Sequence, residues 1–197
     1  MGKMKNLLLM TLLVLSSFSI SAKQILLGPN PNSQEEIQEA LIDLEPGDVL
    51  TLEPGEYFFE DGISLDVDDV IFEGSGIDDT ILNFGGQVSG AQGLLVTSDG
   101  VTLRDFAVLD AKGDAIKVIG ADGINMIRLR TEWTGGPKET NGAYGFYPVE
   151  SKDVLIDGCV AIGASDAGIY VGQSQNIIVK NSVAQYNVAG IEIENSY

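Results

Sequence analysis

The sequence predicts an all-β fold, a single-stranded parallel β-helix of about six turns closed at its N-terminal end by one amphipathic capping helix. Three observations predict it. Alternating apolar segments begin at Val49, Val70, Val101, Ile124, Val154 and Ile177, at intervals of 21, 31, 23, 30 and 23 residues. The two long intervals carry insertions, Gly85–Gln92 (GGQVSGAQ) and Thr134–Gly145 (TGGPKETNGAYG). Without them each interval falls near 22 residues, a natural length for three short strands joined by tight bends. Finally, 24 glycines, with Asp and Asn punctuating the apolar runs, favour many short strands and turns over long helices.

The first 22 residues read as an export signal. Lys3 and Lys5 precede an apolar run from Leu7 to Ile20, and Ser21-Ala22 supply the small residues of a cleavage point. The run is too short to cross a bilayer, which needs about 20 residues, so the protein is expected outside the cytoplasm, periplasmic or extracellular, with no membrane span after signal removal. Residues 23–48 form an N-terminal segment. Within it Ser33 to Leu44 predicts a helix: Ser33 and Glu36 have capping-box spacing, Ile37, Ala40, Leu41 and Leu44 share one face, and Glu45-Pro46-Gly47 ends it. An open β-helix end exposes core and unpaired backbone, so this helix is expected to cover the first turn.

Residues 49–197 hold the repeats. Their register stacks Val101, Ile124, Val154 and Ile177, then Leu103, Met126, Ile156 and Val179, then Phe106, Leu129, Cys159 and Ser182, as inward columns. A second strand stacks Ile116, Phe146, Ile169 and Ile191, with Val118, Pro148, Val171 and Ile193 two residues on. Cys159, the only cysteine, is expected to be a buried apolar filler without a disulfide partner. The sequence stops at Tyr197 with no closing helix, which predicts a fragment, or an end covered by a partner or a second copy.

Composition removes several functions. With no histidine, no Ser-His-Asp or Cys-His relay and no His-metal cage can operate. A formal charge of −18 disfavours nucleic acid, whose phosphates need a basic surface. The clusters Asp66, Asp68, Asp69 and Asp78, Asp79 could hold calcium, but Asp beside Gly is ordinary turn chemistry. No metal site or cofactor is otherwise indicated.

Between the inward positions of the second strand lie outward ones, and the same register stacks Lys117, Tyr147, Tyr170 and Glu192 in one stripe. Tyr144 and both insertions stand beside it, and loops growing from one side of a scaffold tend to build its binding site. Residues 24–103 hold 17 acidic and no basic residues, whereas 104–197 hold 12 acidic and 8 basic, among them Lys117, Arg128, Arg130 and Lys138. Two chemistries fit the stripe. Tyr147 and Tyr170 form a flat platform on which sugar rings stack, with Lys117, Glu192 and Arg130 as polar contacts. Alternatively, Lys117 or Arg128 neutralises a uronate carboxylate while Tyr144 or Tyr147 moves the neighbouring proton, which requires a lowered phenol pKa. A third possibility is a structural or adhesin-like module without turnover.

Asp48 to Phe84, with PGEY at Pro54–Tyr57 and GSGIDDTIL at Gly74–Leu82, resembles the opening turns of pectin-lyase-like right-handed parallel β-helix proteins. Tyr144 to Glu150 (YGFYPVE) is similar to the YGFDPHE segment of the mannuronan C5-epimerases, and the whole resembles exported β-helix repeat proteins. The resemblance implies a right-handed helix and a polysaccharide partner, acidic uronans included. Tyr147 replaces the motif's catalytic Asp and Val149 its His; only the motif's Tyr is kept, as Tyr144.

Overall fold

The computed structural model describes residues 22–197; the expected export signal falls, but for Ala22, outside them. The chain winds through three parallel sheets of seven, six and six strands, visiting first, second and third sheet in turn. Each strand within a sheet pairs with its counterparts in the neighbouring turns, so the intervals read from the sequence are the rungs of the solenoid. Lys117 pairs with Tyr147, Met126 with both Leu103 and Ile156, and Val154 with Ile177. The first sheet has one rung more than the six predicted repeats. Residues Gln24–Leu27 pair with Val49–Leu52, and a helix rather than two further strands follows them, so no repeat marks this rung.

The inward columns build one continuous core. Leu103, Phe106, Met126, Leu129, Ile156 and Cys159 are all fully buried. Phe72 and Phe106 meet across one turn with ring centroids 5.0 Å apart and planes tilted by 38°, and Phe59 and Phe84 stack with centroids 4.6 Å apart. Ile191 and Ile193, in the strand Ala189–Glu194, are exposed. Burial pushes the Cys159 thiol up to about 11. Because the thiolate is the reactive form, native protein at pH 8 should resist alkylation by iodoacetamide and react fully once unfolded. Mass spectrometry of labelled protein checks this, and native labelling at the unfolded rate would contradict it.

The helix Ser33–Ile42 covers the first turn, burying Ile37 and Leu41 against the core. Its polar face completes the work by satisfying an edge strand. Gln38 accepts from the Ser64 N–H at 2.9 Å and donates to the Ser64 carbonyl at 3.1 Å, as a neighbouring strand would. The expected capping box does not form. Asn32 is the N-cap and makes no side-chain cap bond, while the Ser33 hydroxyl, already inside the helix, bonds back to Asn30. Glu36 is likewise engaged by the Asn30 amide at 2.9 Å. Tyr57 of the PGEY segment is buried, its hydroxyl lying between the Leu27 carbonyl at 3.0 Å and the Glu53 carbonyl at 2.8 Å with one proton to donate, which ties the extra rung to the second turn.

Corners repeat as faithfully as strands. Between first and second sheets the left-handed position falls on Asp105, Arg128, Gly158 and Asn181 in successive turns. Between third and first sheets, carboxylates take backbone N–H groups of the next turn: Asp68 accepts from Asp99 and Asp99 from Asp122, both at 2.8 Å. Much of the acidic composition therefore serves turns. Among the described residues no group of three or more His, Cys, Asp and Glu side chains is placed to hold a metal ion, and no helix is long and apolar enough to cross a membrane.

Candidate functional site

Both insertions leave the solenoid at the same corner, between second and third sheets. Gly85–Gln92 leads into the strand Gln92–Val96 and Thr134–Gly145 into Phe146–Val149, two turns on. Trp133 anchors the longer one: it is nearly buried and its indole N–H donates to the Ala111 carbonyl at 2.7 Å. Asn141 closes the loop by donating to the carbonyls of Gly136 and Gly163.

On the third sheet the register sets Lys117 beside Tyr147 and Tyr170 beside Glu192, with Phe146 opposite Ile169 fixing Tyr147 next to Tyr170. Tyr144 joins them from the end of the insertion. The rings of Tyr144 and Tyr170 are stacked at 4.5 Å, Tyr147 lies 4.7 Å from Tyr144, and the Lys117 ammonium sits 4.8 Å from the centre of the Tyr147 ring. The platform expected of Tyr147 and Tyr170 is not flat. Their planes meet at 78°, and Tyr170 is only 9% exposed because Tyr144 covers it. Gly172 makes this possible: a Cβ there would lie 2.8 Å from the Tyr170 ring, which passes over it so that the hydroxyl reaches Glu194 at 2.8 Å. The half-buried aromatic surface facing solvent is thus that of Tyr144 and Tyr147.

Arg128 and Arg130 are not brought to this face. Arg128 occupies the left-handed corner between first and second sheets, where it makes two 2.7 Å bonds to Asp105. Arg130 lies on the second sheet, bonded to Glu132 at 2.5 Å and to the Ile77 carbonyl at 3.0 Å. The carboxylates that surround the tyrosines were not singled out by the sequence: Asp114, Glu150, Asp166 and Glu194. Asp114 precedes Ile116 by the two residues that separate Tyr144 from Phe146, so the repeat register held the signal that places it beside Tyr144.

These carboxylates and partial burial set the proton affinities. Burial first, then the Asp166 carboxylate, pushes the Tyr144 phenol up to about 12. Burial and the charges of Asp114 and Glu150 raise Tyr147, and the bond to Glu194 followed by burial raises Tyr170. All three phenols are therefore held protonated, the opposite of what a tyrosine base requires.

Burial also raises Asp114, with Lys117 partly opposing it. A carboxyl raised on folding binds protons more tightly in the native state, so stability falls as pH climbs from about 3.8 through the raised value. Asp114→Asn should remove this fall and leave stability at pH 7 equal to or above wild type, read from denaturant midpoints between acid and neutral pH. A variant less stable at pH 7 with the same pH slope would contradict it.

A three-sheet parallel solenoid with two corner insertions defines the class, a parallel β-helix. The chain belongs to the family described as the right-handed beta helix region, whose pattern matches residues 60–197. No curated protein matches the sequence. Among solved structures, the A-module of mannuronan C-5 epimerase AlgE4 from Azotobacter vinelandii is 20% identical, with a TM-score of 0.61 over 83% of this chain and 53% of that one. A rhamnogalacturonan lyase is 12% identical, with a TM-score of 0.57 over 89% of this chain and 56% of that one. The PL6-family alginate lyase AlyGC is 16% identical, with a TM-score of 0.55 over 89% and 28%. At these identities the likeness is one of fold, and the chain spans about half the length of the epimerase module.

Proposed function

We propose that this is an exported β-helix protein that binds polysaccharide along the third sheet, with Tyr144 and Tyr147 as the sugar-contacting rings. The observation that carries the proposal is the three-tyrosine cluster, assembled from two turns and one insertion, with Lys117 against its edge. Aromatic side chains with one face packed and another open offer apolar area to the C–H face of a pyranose, while their hydroxyls stay available for polar contacts. Tyr170 serves as the support behind them and Glu192 as a polar neighbour. The fold neighbours are named for mannuronan, rhamnogalacturonan and alginate, which agrees with a polysaccharide partner.

Lyase or epimerase chemistry finds less support in these residues. Tyr147 and Val149 stand where the epimerase motif carries Asp and His, and the phenols are shifted towards their protonated form. Affinity electrophoresis through gels of defined polysaccharides tests the binding. Tyr144→Ala and Tyr147→Ala should each weaken retention by at least about tenfold, the scale of an aromatic hot spot, with far-ultraviolet circular dichroism unchanged. Retention equal to wild type in both would end the proposal. Release of unsaturated chain ends, or epimerised sugars seen by NMR, would restore the enzymatic alternative.

A further inference from the structure

We infer that the ligand of this face is a neutral glycan rather than a uronan; the inference rests on the sugar-binding proposal above. Lys117 is the one basic residue in the six strands of the third sheet, which also carry Asp114, Glu192 and Glu194. Glu150 and Asp166 flank the same tyrosines from the adjoining corners. Among the described residues, the strands and corners that carry the tyrosines therefore hold these five carboxylates and one ammonium.

That ammonium has neighbours of its own. It lies against the Tyr147 ring and close enough to Asp114 to oppose the rise in that carboxyl's proton affinity. The other cations of the corner loops lie elsewhere. Lys112 reaches the Val88 carbonyl at 3.4 Å, and Lys138 lines a separate hollow with Ser165, Tyr186 and Asn187.

A uronan presents a carboxylate on every ring. Laid along this face it would meet like charges at a few ångströms in a partly desolvated setting, where repulsion is strong. A neutral glycan meets the same groups favourably. Ionised carboxylates only accept hydrogen bonds and can take sugar hydroxyls, while the Tyr144 and Tyr147 rings receive the apolar faces between them. The residues thus sort ligands by charge as well as by shape, and the carboxylates are the excluding element.

Affinity electrophoresis of the full protein tests this with neutral β-glucan, mannan and xylan against polygalacturonate and alginate, each with EDTA and with calcium. Retention by at least one neutral polymer, at least about tenfold stronger than by either uronan, is expected from like-charge contact at this range, and added salt should narrow the gap by screening. Asp114→Asn combined with Glu192→Gln should narrow it as well. An unchanged ratio in that variant overturns the electrostatic account. Uronan retention that matches or exceeds the neutral polymers and is lost in Tyr147→Ala overturns the inference while leaving the sugar-binding proposal standing, whether or not it needs calcium. Retention of none of these polymers overturns both.

Discussion

Phe106→Ala should cost about 3–5 kcal/mol of stability, the range for removing a large aromatic side chain from a packed core. Phe106 is wholly buried at the middle of the solenoid, its ring set against Phe72 from the preceding turn. Because each turn is stabilised by its neighbours, a cavity here weakens two interfaces at once. Whole domains are stable by only about 5–15 kcal/mol, so the loss should bring the denaturant midpoint down by a large fraction. Trp133, the sole tryptophan and nearly buried, reports the transition by fluorescence. The comparison is Val188→Ala, whose side chain is 81% exposed at the last rung and should change little. A Phe106→Ala loss below about 1 kcal/mol would mean that the inward columns do not carry the fold.

Gly142→Ala should disturb the candidate site through the backbone. A Cβ at this position would lie 1.6 Å from the Gly113 carbonyl oxygen and 2.7 Å from Cζ2 of Trp133. The first contact is backbone of the preceding turn and the second an anchored indole, so neither can step aside and the insertion must move. Overpacking of this kind costs about 1–3 kcal/mol, occasionally more. Two residues later the chain places Tyr144, whose ring covers Tyr170. The variant is therefore expected to shift Trp133 emission to the red and to weaken glycan retention about as much as Tyr144→Ala, about tenfold or more. An unaltered emission spectrum together with wild-type retention would show that the insertion does not position the tyrosines.

The two predictions separate what the chain needs to fold from what it needs to present a surface, and these differ in how they are written in the sequence. The inward columns were legible because burial selects apolar side chains at every second position and stacking repeats the selection each turn. Val101, Ile124 and Val154, or Ile116, Phe146 and Ile169, could be aligned without coordinates. The first-sheet rung Gln24–Leu27 escaped because it has no companion strands in its own turn to reveal a period. Ser33 and Glu36 had the spacing of a capping box, yet a helix start is decided by which nearby group reaches first, and Asn30 engaged both.

For the site, the sequence by itself determined which residues share a face: Lys117, Tyr147, Tyr170 and Glu192 follow from the two-residue alternation of a strand and the length of a turn. Only the tertiary structure decided that Tyr170 lies under Tyr144 rather than open to a ligand, that Arg128 and Arg130 belong to other sides of the solenoid, and that Asp114, Glu150, Asp166 and Glu194 gather around the tyrosines. Periodicity specifies the wall from which a side chain leaves. Its tilt and its partners depend on what corners and insertions bring alongside, here Gly172 leaving room for a ring and Asp114, Glu150 and Asp166 arriving from positions outside the stripe, and those approaches run through space rather than along the chain.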